Sequence, residues 1–82
     1  MNYKIEIMPK AIKDIKRIPK AEAATIIDKI NAMSNNLSGD VKKLTNFTPE
    51  YRLRVGNWRV LFEAEGGKIV IYRILHRREA YR

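Results

Sequence analysis

The last third of the chain carries three short, apolar-rich runs separated by Gly56-Asn57 and Gly66-Gly67. Two-residue turns built on glycine suit the right-handed twist of paired strands, so residues 51–55, 58–64 and 68–75 read as an antiparallel meander. A meander with one apolar face must bury that face against another layer. The chain upstream supplies it. Tyr3-Lys4-Ile5-Glu6-Ile7 alternates and predicts a strand over about 2–7. Pro9 opens a helix whose apolar face is Ala11, Ile12, Ile15 and Ile18, and Pro19 ends it. A second helix over about 21–33 presents Ala23, Ile26, Ile27, Ile30 and Met33 at spacings mostly of three and four, and Ser34-Asn35-Asn36 and Gly39 stop it. Residues 36–50 are polar and aperiodic, with Leu44 and Phe47 as candidate anchors. The expected architecture is a single α+β domain over 1–82, ordered β-α-α-β-β-β, with a largely antiparallel sheet and both helices on one face. The apolar run at 68–75 predicts a central strand covered on both sides.

Chemistry is limited by what the chain lacks. It has 82 residues, no Cys and one His, which excludes a disulfide framework, a thiolate zinc site, a Cys nucleophile and a histidine-based metal site. No run is apolar for long enough to span a bilayer and the N-terminus has no signal core, so a cytoplasmic protein without a metal or cofactor is expected. What the chain has in excess is positive charge, +8 at neutral pH, which points to a polyanionic partner. That charge is uneven. Residues 1–41 hold seven bases against five acids, and residues 42–82 hold ten against four. The first half uses Lys apart from Arg17, whereas the second is dominated by Arg, whose planar fork suits phosphate.

Strand alternation gives this charge a direction. If Leu53, Val55, Val60 and Phe62 meet the helices, Arg52, Arg54 and Arg59 share the open face. Three guanidinium groups so placed repel one another without an anion, which is the arrangement phosphate recognition needs. A plain solvated sheet face fits the same alternation. The tail over 76–82 adds His76, Arg77, Arg78 and Tyr81, a group that titrates near neutrality beside cations and a phenol. An untethered basic terminus is the alternative there. Lys10, Lys13, Arg17 and Lys20 form an expected stripe on the first helix, suited to a nucleic-acid backbone or simply to solubility. Glu63 and Glu65 flank a turn and read as solvated.

The run 50–63, Glu-Tyr-Arg-Leu-Arg-Val-Gly-Asn-Trp-Arg-Val-Leu-Phe-Glu, followed by 69–81, closely resembles the RelE/ParE toxin superfamily. The Pro-Lys-Ala opening, the two helices and Lys43-Leu44 extend the resemblance over essentially the whole chain. The His-Arg-x-x-x-Tyr ending is similar to the RelE branch, whose members cut messenger RNA in the ribosomal A site. The resemblance implies that Arg52 and Arg54 belong to an active-site cation cluster and that Arg59 and Arg77 contact phosphate and stabilise the transition state. It implies that Tyr81 orients or stacks on a base, and His76 stands where some members carry His. His76 is then the expected base or acid, supported by Tyr81. Lys10, Lys13, Arg17, Lys20, Lys43 and Arg78 are the expected RNA and ribosome contacts. The implied partners are a ribosome with mRNA in its A site, an acidic cognate antitoxin that wraps the basic surface, and promoter DNA for the toxin–antitoxin complex. The alternatives on the same fold are a gyrase inhibitor of the ParE kind and a non-catalytic nucleic-acid-binding domain.

Overall fold

Gly66 and Gly67 both take positive φ, and Gly56 does so at the first position of its turn, so the glycine pattern closes two tight hairpins. In the computed structural model, which describes residues 2–81, these hairpins join β3 (Tyr51–Val55), β4 (Trp58–Glu65) and β5 (Lys68–His76). The first elements are β1 (Lys4–Ile7), α1 (Pro9–Lys16) and α2 (Lys20–Ala32), and β2 (Val41–Lys43) precedes the meander. The sheet order is β1-β5-β4-β3-β2, with β1 parallel to β5 and every other pair antiparallel. Met1 and Arg82, the last base of the expected cationic tail, lie outside the described residues.

The core lies between one sheet face and the helices. Ala11, Ile18, Ile26, Ile30 and Met33 meet Leu53, Val55, Val60, Phe62, Ile69, Ile71 and Ile74, all buried. Alternation along β3 and β4 therefore turns inward the residues it predicted. Pro9 occupies the start of α1, and Pro19 stands as the N-cap of α2. Lys13 and Lys16 in the last turn of α1 complement its dipole.

The structure corrects the sequence reading at five places. First, the polar stretch before the meander contains the short strand β2, paired Val41 to Leu53, Lys42 to Arg52 and Lys43 to Tyr51. Three residues carry too little alternation to show as a strand. Second, Ile12 is 41% exposed, so the apolar face of α1 is narrower than expected. Third, α1 ends at Lys16, with Arg17 as its cap and Lys20 opening α2, so the basic stripe is not carried by one helix. Fourth, β5 is central but covered fully on one side only: Tyr72 is 38% exposed, and Val70 and Leu75 are half-buried. Finally, Glu63 is not merely solvated, because its Oε2 accepts the Glu50 amide at 2.9 Å.

Two local devices matter for the site. The β4–β5 register shifts at Leu61/Phe62, where Leu61 faces Arg73 and Phe62 faces Ile71, so Tyr72 is an extra residue. Beyond Ile71, β1 no longer covers β5. There Asp14 of α1 takes over: its carboxylate accepts the Ile74 amide at 2.9 Å and two bonds from Arg73 at 2.8 and 3.0 Å. Burial pushes the Asp14 carboxyl up, but the Arg73 and Ile74 hydrogen bonds and the Arg73 and Arg17 charges outweigh it, leaving it below the usual range.

Candidate active site

The antiparallel register places Arg52 opposite Leu61 and Arg54 opposite Arg59, on the sheet face away from the helices. Lys42 pairs with Arg52 and joins the same face. Lys42, Leu44, Arg52, Arg54, Arg59 and Tyr81 together line an open groove of about 370 Å³. The loop after β2 and the C-terminal turn build its wall. Leu44 donates its amide to Glu50 O at 2.6 Å, Lys43 Nζ lies 3.5 Å from Glu50, and the Phe47 and Tyr81 rings meet edge to face at 5.8 Å. Leu61 and Ala80 are buried, although neither belongs to the main core cluster. The tail is thus held down by its own side chains. Residues 77–81 form turns, with Arg77 N–H on Asn57 O at 2.8 Å and Glu79 N–H on His76 O at 2.8 Å. Tyr81 is 46% exposed, so its ring contacts Phe47 while keeping a solvent-facing surface.

The cations are organised by a carboxylate that the sequence reading did not single out. Arg52 Nη1 donates to Asp40 Oδ1 at 3.1 Å and to Asp40 O at 2.9 Å, and Arg54 Nε donates to Asp40 Oδ2 at 2.6 Å. Hydrogen bonds from Arg52 and then Arg54 hold the Asp40 carboxyl below its ordinary value. Gly39 makes the approach possible. Its φ is +119°, and a Cβ there would stand 3.0 Å from Leu53 Cδ1. Arg59 is anchored differently, donating Nη1 to Gly56 O at 2.8 Å and to Trp58 O at 2.9 Å. Its remaining N–H groups are not used in these bonds.

The other expected residues are dispersed. His76 is paired with Trp58 on the helix-bearing face, and their rings meet edge to face at 5.5 Å. It lines a separate groove of about 250 Å³ with Asp14, Arg17, Trp58, Arg73 and Glu79. Its Nδ1 accepts the Arg78 amide at 3.3 Å. The expected His76–Tyr81 partnership is therefore not formed, because alternation at the end of β5 sends His76 to the opposite side of the sheet. Arg77 and Arg78 are exposed, and neither lines the arginine groove. Lys10, Lys13, Arg17 and Lys20 are all exposed. Lys43, paired with Tyr51 and bridged to Glu50, is not on the groove; its neighbour Lys42 is. Among the described residues, no group of three or more His, Asp or Glu could hold a metal ion, and no helix is long and apolar enough to cross a membrane.

A small basic sheet with two helices behind it and an arginine groove in front defines a class that known proteins share. Residues 5–81 match the model of the ParE toxin of type II toxin–antitoxin systems. Toxin RelE3 of Methanocaldococcus jannaschii is 37% identical over 75 residues, which is 85% of each chain. Putative toxin RelE1 of the same organism is 30% identical over 84 residues, covering 96% of this chain and 93% of its own. Among solved structures, a chain of a RelB–RelE antitoxin–toxin complex from Methanococcus jannaschii superposes with a TM-score of 0.76 at 28% identity, covering 94% of this chain and 99% of that one. A chain of the RelBE2 toxin–antitoxin complex of Mycobacterium tuberculosis shares the fold, with a TM-score of 0.80 at 21% identity over 94% of this chain and 100% of that one. The protein belongs to the RelE/ParE superfamily and is a toxin of the type II toxin–antitoxin class.

Proposed function

We propose that the protein is a metal-independent, ribosome-dependent endoribonuclease that cuts messenger RNA in the A site and so stops translation. The observation that carries this reading is the convergence of Lys42, Arg52, Arg54, Arg59 and Tyr81 on one groove. In the reaction the ribose 2′-oxygen attacks the adjacent phosphorus. The P–O5′ bond breaks, leaving a 2′,3′-cyclic phosphate on one fragment and a 5′-hydroxyl on the other. One proton leaves the 2′-oxygen and one reaches the 5′-oxygen, and no water is consumed. The nucleophile belongs to the substrate, so the protein's work is alignment, stabilisation of phosphorane charge and proton movement. Arg52, Arg54 and Arg59 supply planar guanidinium forks matched to phosphate, and Tyr81 offers a ring for a base. Arg77, the first residue of the docked tail, is exposed outside the groove, and in this reading it contacts the RNA backbone from there. Arg cannot serve as the base, and the sheet register supports leaving His76 out of that role. Within the groove, Lys42 and Tyr81 are the groups able to exchange a proton.

A groove this open needs the ribosome to hold the RNA in line. The antitoxin complexes formed by the structural relatives support a cognate antitoxin here, acidic enough to cover the basic surface, with promoter DNA bound by the pair. Purified protein, translating ribosomes and a short message test the reading directly: in-frame cuts ending in cyclic phosphate are expected. A second reading, gyrase inhibition, is favoured by the match to the ParE toxin model. Intact messages with a DNA-damage response after induced expression would establish that reading instead.

A further inference from the structure

Two guanidinium groups on neighbouring positions of one strand face should drive each other away, yet Arg52 and Arg54 are held together. The group that holds them is Asp40. Its carboxylate takes one oxygen to each arginine, 3.1 Å from Arg52 Nη1 and 2.6 Å from Arg54 Nε. Its main-chain carbonyl accepts from Arg52 Nη1 at 2.9 Å and from the Arg54 amide at 3.0 Å. One residue thereby fixes two side chains and ties them to the strand that carries them.

The donors that Asp40 does not take matter more. Arg52 engages it through Nη1, which leaves Nε and Nη2. Arg54 engages it through Nε, which leaves both terminal nitrogens, and its side chain is about half exposed. A phosphate in the groove can therefore be met without displacing Asp40. Arg52, in contrast, is only 12% exposed, so its orientation is set by packing and by this carboxylate together.

We infer that Asp40 is a positioning residue for the RNA-cutting groove, a built-in counter-charge that aligns Arg52 and Arg54 before the substrate phosphate arrives. The inference rests on the endoribonuclease reading for its rate consequence, though not for the clamp itself. A positioning carboxylate acts on alignment and opposes raw affinity, because it places a negative charge beside an anion site. Its removal should lower turnover while leaving RNA binding as tight or tighter. A residue needed only for folding would lower both.

The test compares wild type with Asp40→Asn, which keeps the side-chain shape and removes the charge, and with Asp40→Glu, which keeps the charge. Single-turnover cleavage on programmed ribosomes gives the rate. Binding is measured on the same complex with a message carrying a 2′-deoxy sugar at the cut position. We expect Asp40→Asn to lose about tenfold or more in rate, as misaligned catalytic groups do, with affinity unchanged or increased. Asp40→Glu should recover part of the rate. An unchanged rate in Asp40→Asn overturns the inference, and so does a loss of binding in step with the rate. If the wild type itself does not cut, the endoribonuclease reading fails and the Arg54 Nε–H signal in an NMR spectrum decides the clamp alone. That signal should shift and exchange faster in Asp40→Asn, and an unmoved signal overturns the clamp.

Discussion

At the scale of single residues, the arginines of the groove have unequal tasks. Arg59 spends one nitrogen on the carbonyls of Gly56 and Trp58, so it both braces the β3–β4 turn and faces the groove. Loss of one donor to transition-state charge typically costs about a hundredfold or more. Arg59→Ala should therefore cut messages at least about a hundredfold more slowly, with a melting temperature only slightly reduced because Gly56, which closes that turn, remains. His76→Ala should keep most of the wild-type cleavage, since its ring contacts Trp58 on the other sheet face. Parallel single-turnover assays on the two variants check both expectations. A large loss in His76→Ala would mean that the tail rearranges on the ribosome and brings the imidazole round.

At the scale of elements, the meander and helices were legible because their signals are long. Leu53, Val60 and Phe62 alternate over two strands, and Ile26, Ile30 and Met33 repeat over about two turns, and each set is buried where its period placed it. The arginine face followed from the same alternation. β2 was not legible, being three residues with one apolar position, and with it went the distinction between Lys42 and Lys43. Asp40 left one signal: it is the only acid between Asp28 and Glu50, in a chain that will turn back against Arg52 and Arg54. Finding it required the register of β2 on β3, which local pattern does not encode. Asp14 poses the same problem. Its role at the open edge of β5 depends on where β1 stops, a long-range fact.

That edge carries a stability prediction. The Asp14 side chain is only 10% exposed and satisfies both the Ile74 amide and Arg73. Asp14→Ala leaves the amide without this partner and Arg73 without its charge partner, at a cost of about 2 kcal/mol once the partial solvation of Arg73 is allowed for. In a chain of this size that is a fall of about 10 °C or more in melting temperature. The pH dependence follows from the sign of the shift. The folded-state carboxyl titrates below its unfolded value, so its contribution is full above about pH 4 and is lost as pH falls through the folded value. Denaturant melts between about pH 2 and 5 should show wild-type stability falling with acid more steeply than that of Asp14→Ala. Equal slopes would mean that the carboxylate gains nothing from Arg73 and Ile74.

At the scale of the whole molecule, the formal charge of +8 is not one undifferentiated field. Lys42, Arg52, Arg54 and Arg59 concentrate on one face with Asp40 between two of them, while Lys10, Lys13 and Lys20 stand exposed on helices behind the sheet. Salt dependence separates these populations. Each phosphate neutralised by single-stranded RNA binding contributes about 0.7 to the slope of log affinity against log salt. A short, uncleavable RNA occupying the groove should show a slope of about 2–3, for three to four cations engaged. Lys42→Ala should lower that slope by about 0.7, whereas Lys43→Ala, one residue along but bridged to Glu50 away from the groove, should leave it unchanged. Lys10→Ala combined with Lys13→Ala should also leave the short-RNA slope alone, and if the proposed ribosome contact extends to the helical side, it should weaken association with whole ribosomes. Titrations of short RNA across a salt series, repeated with ribosomes, make the comparison. Equal effects of Lys42 and Lys43 would show that net charge, rather than the face set by the β2–β3 register, governs how this toxin meets RNA.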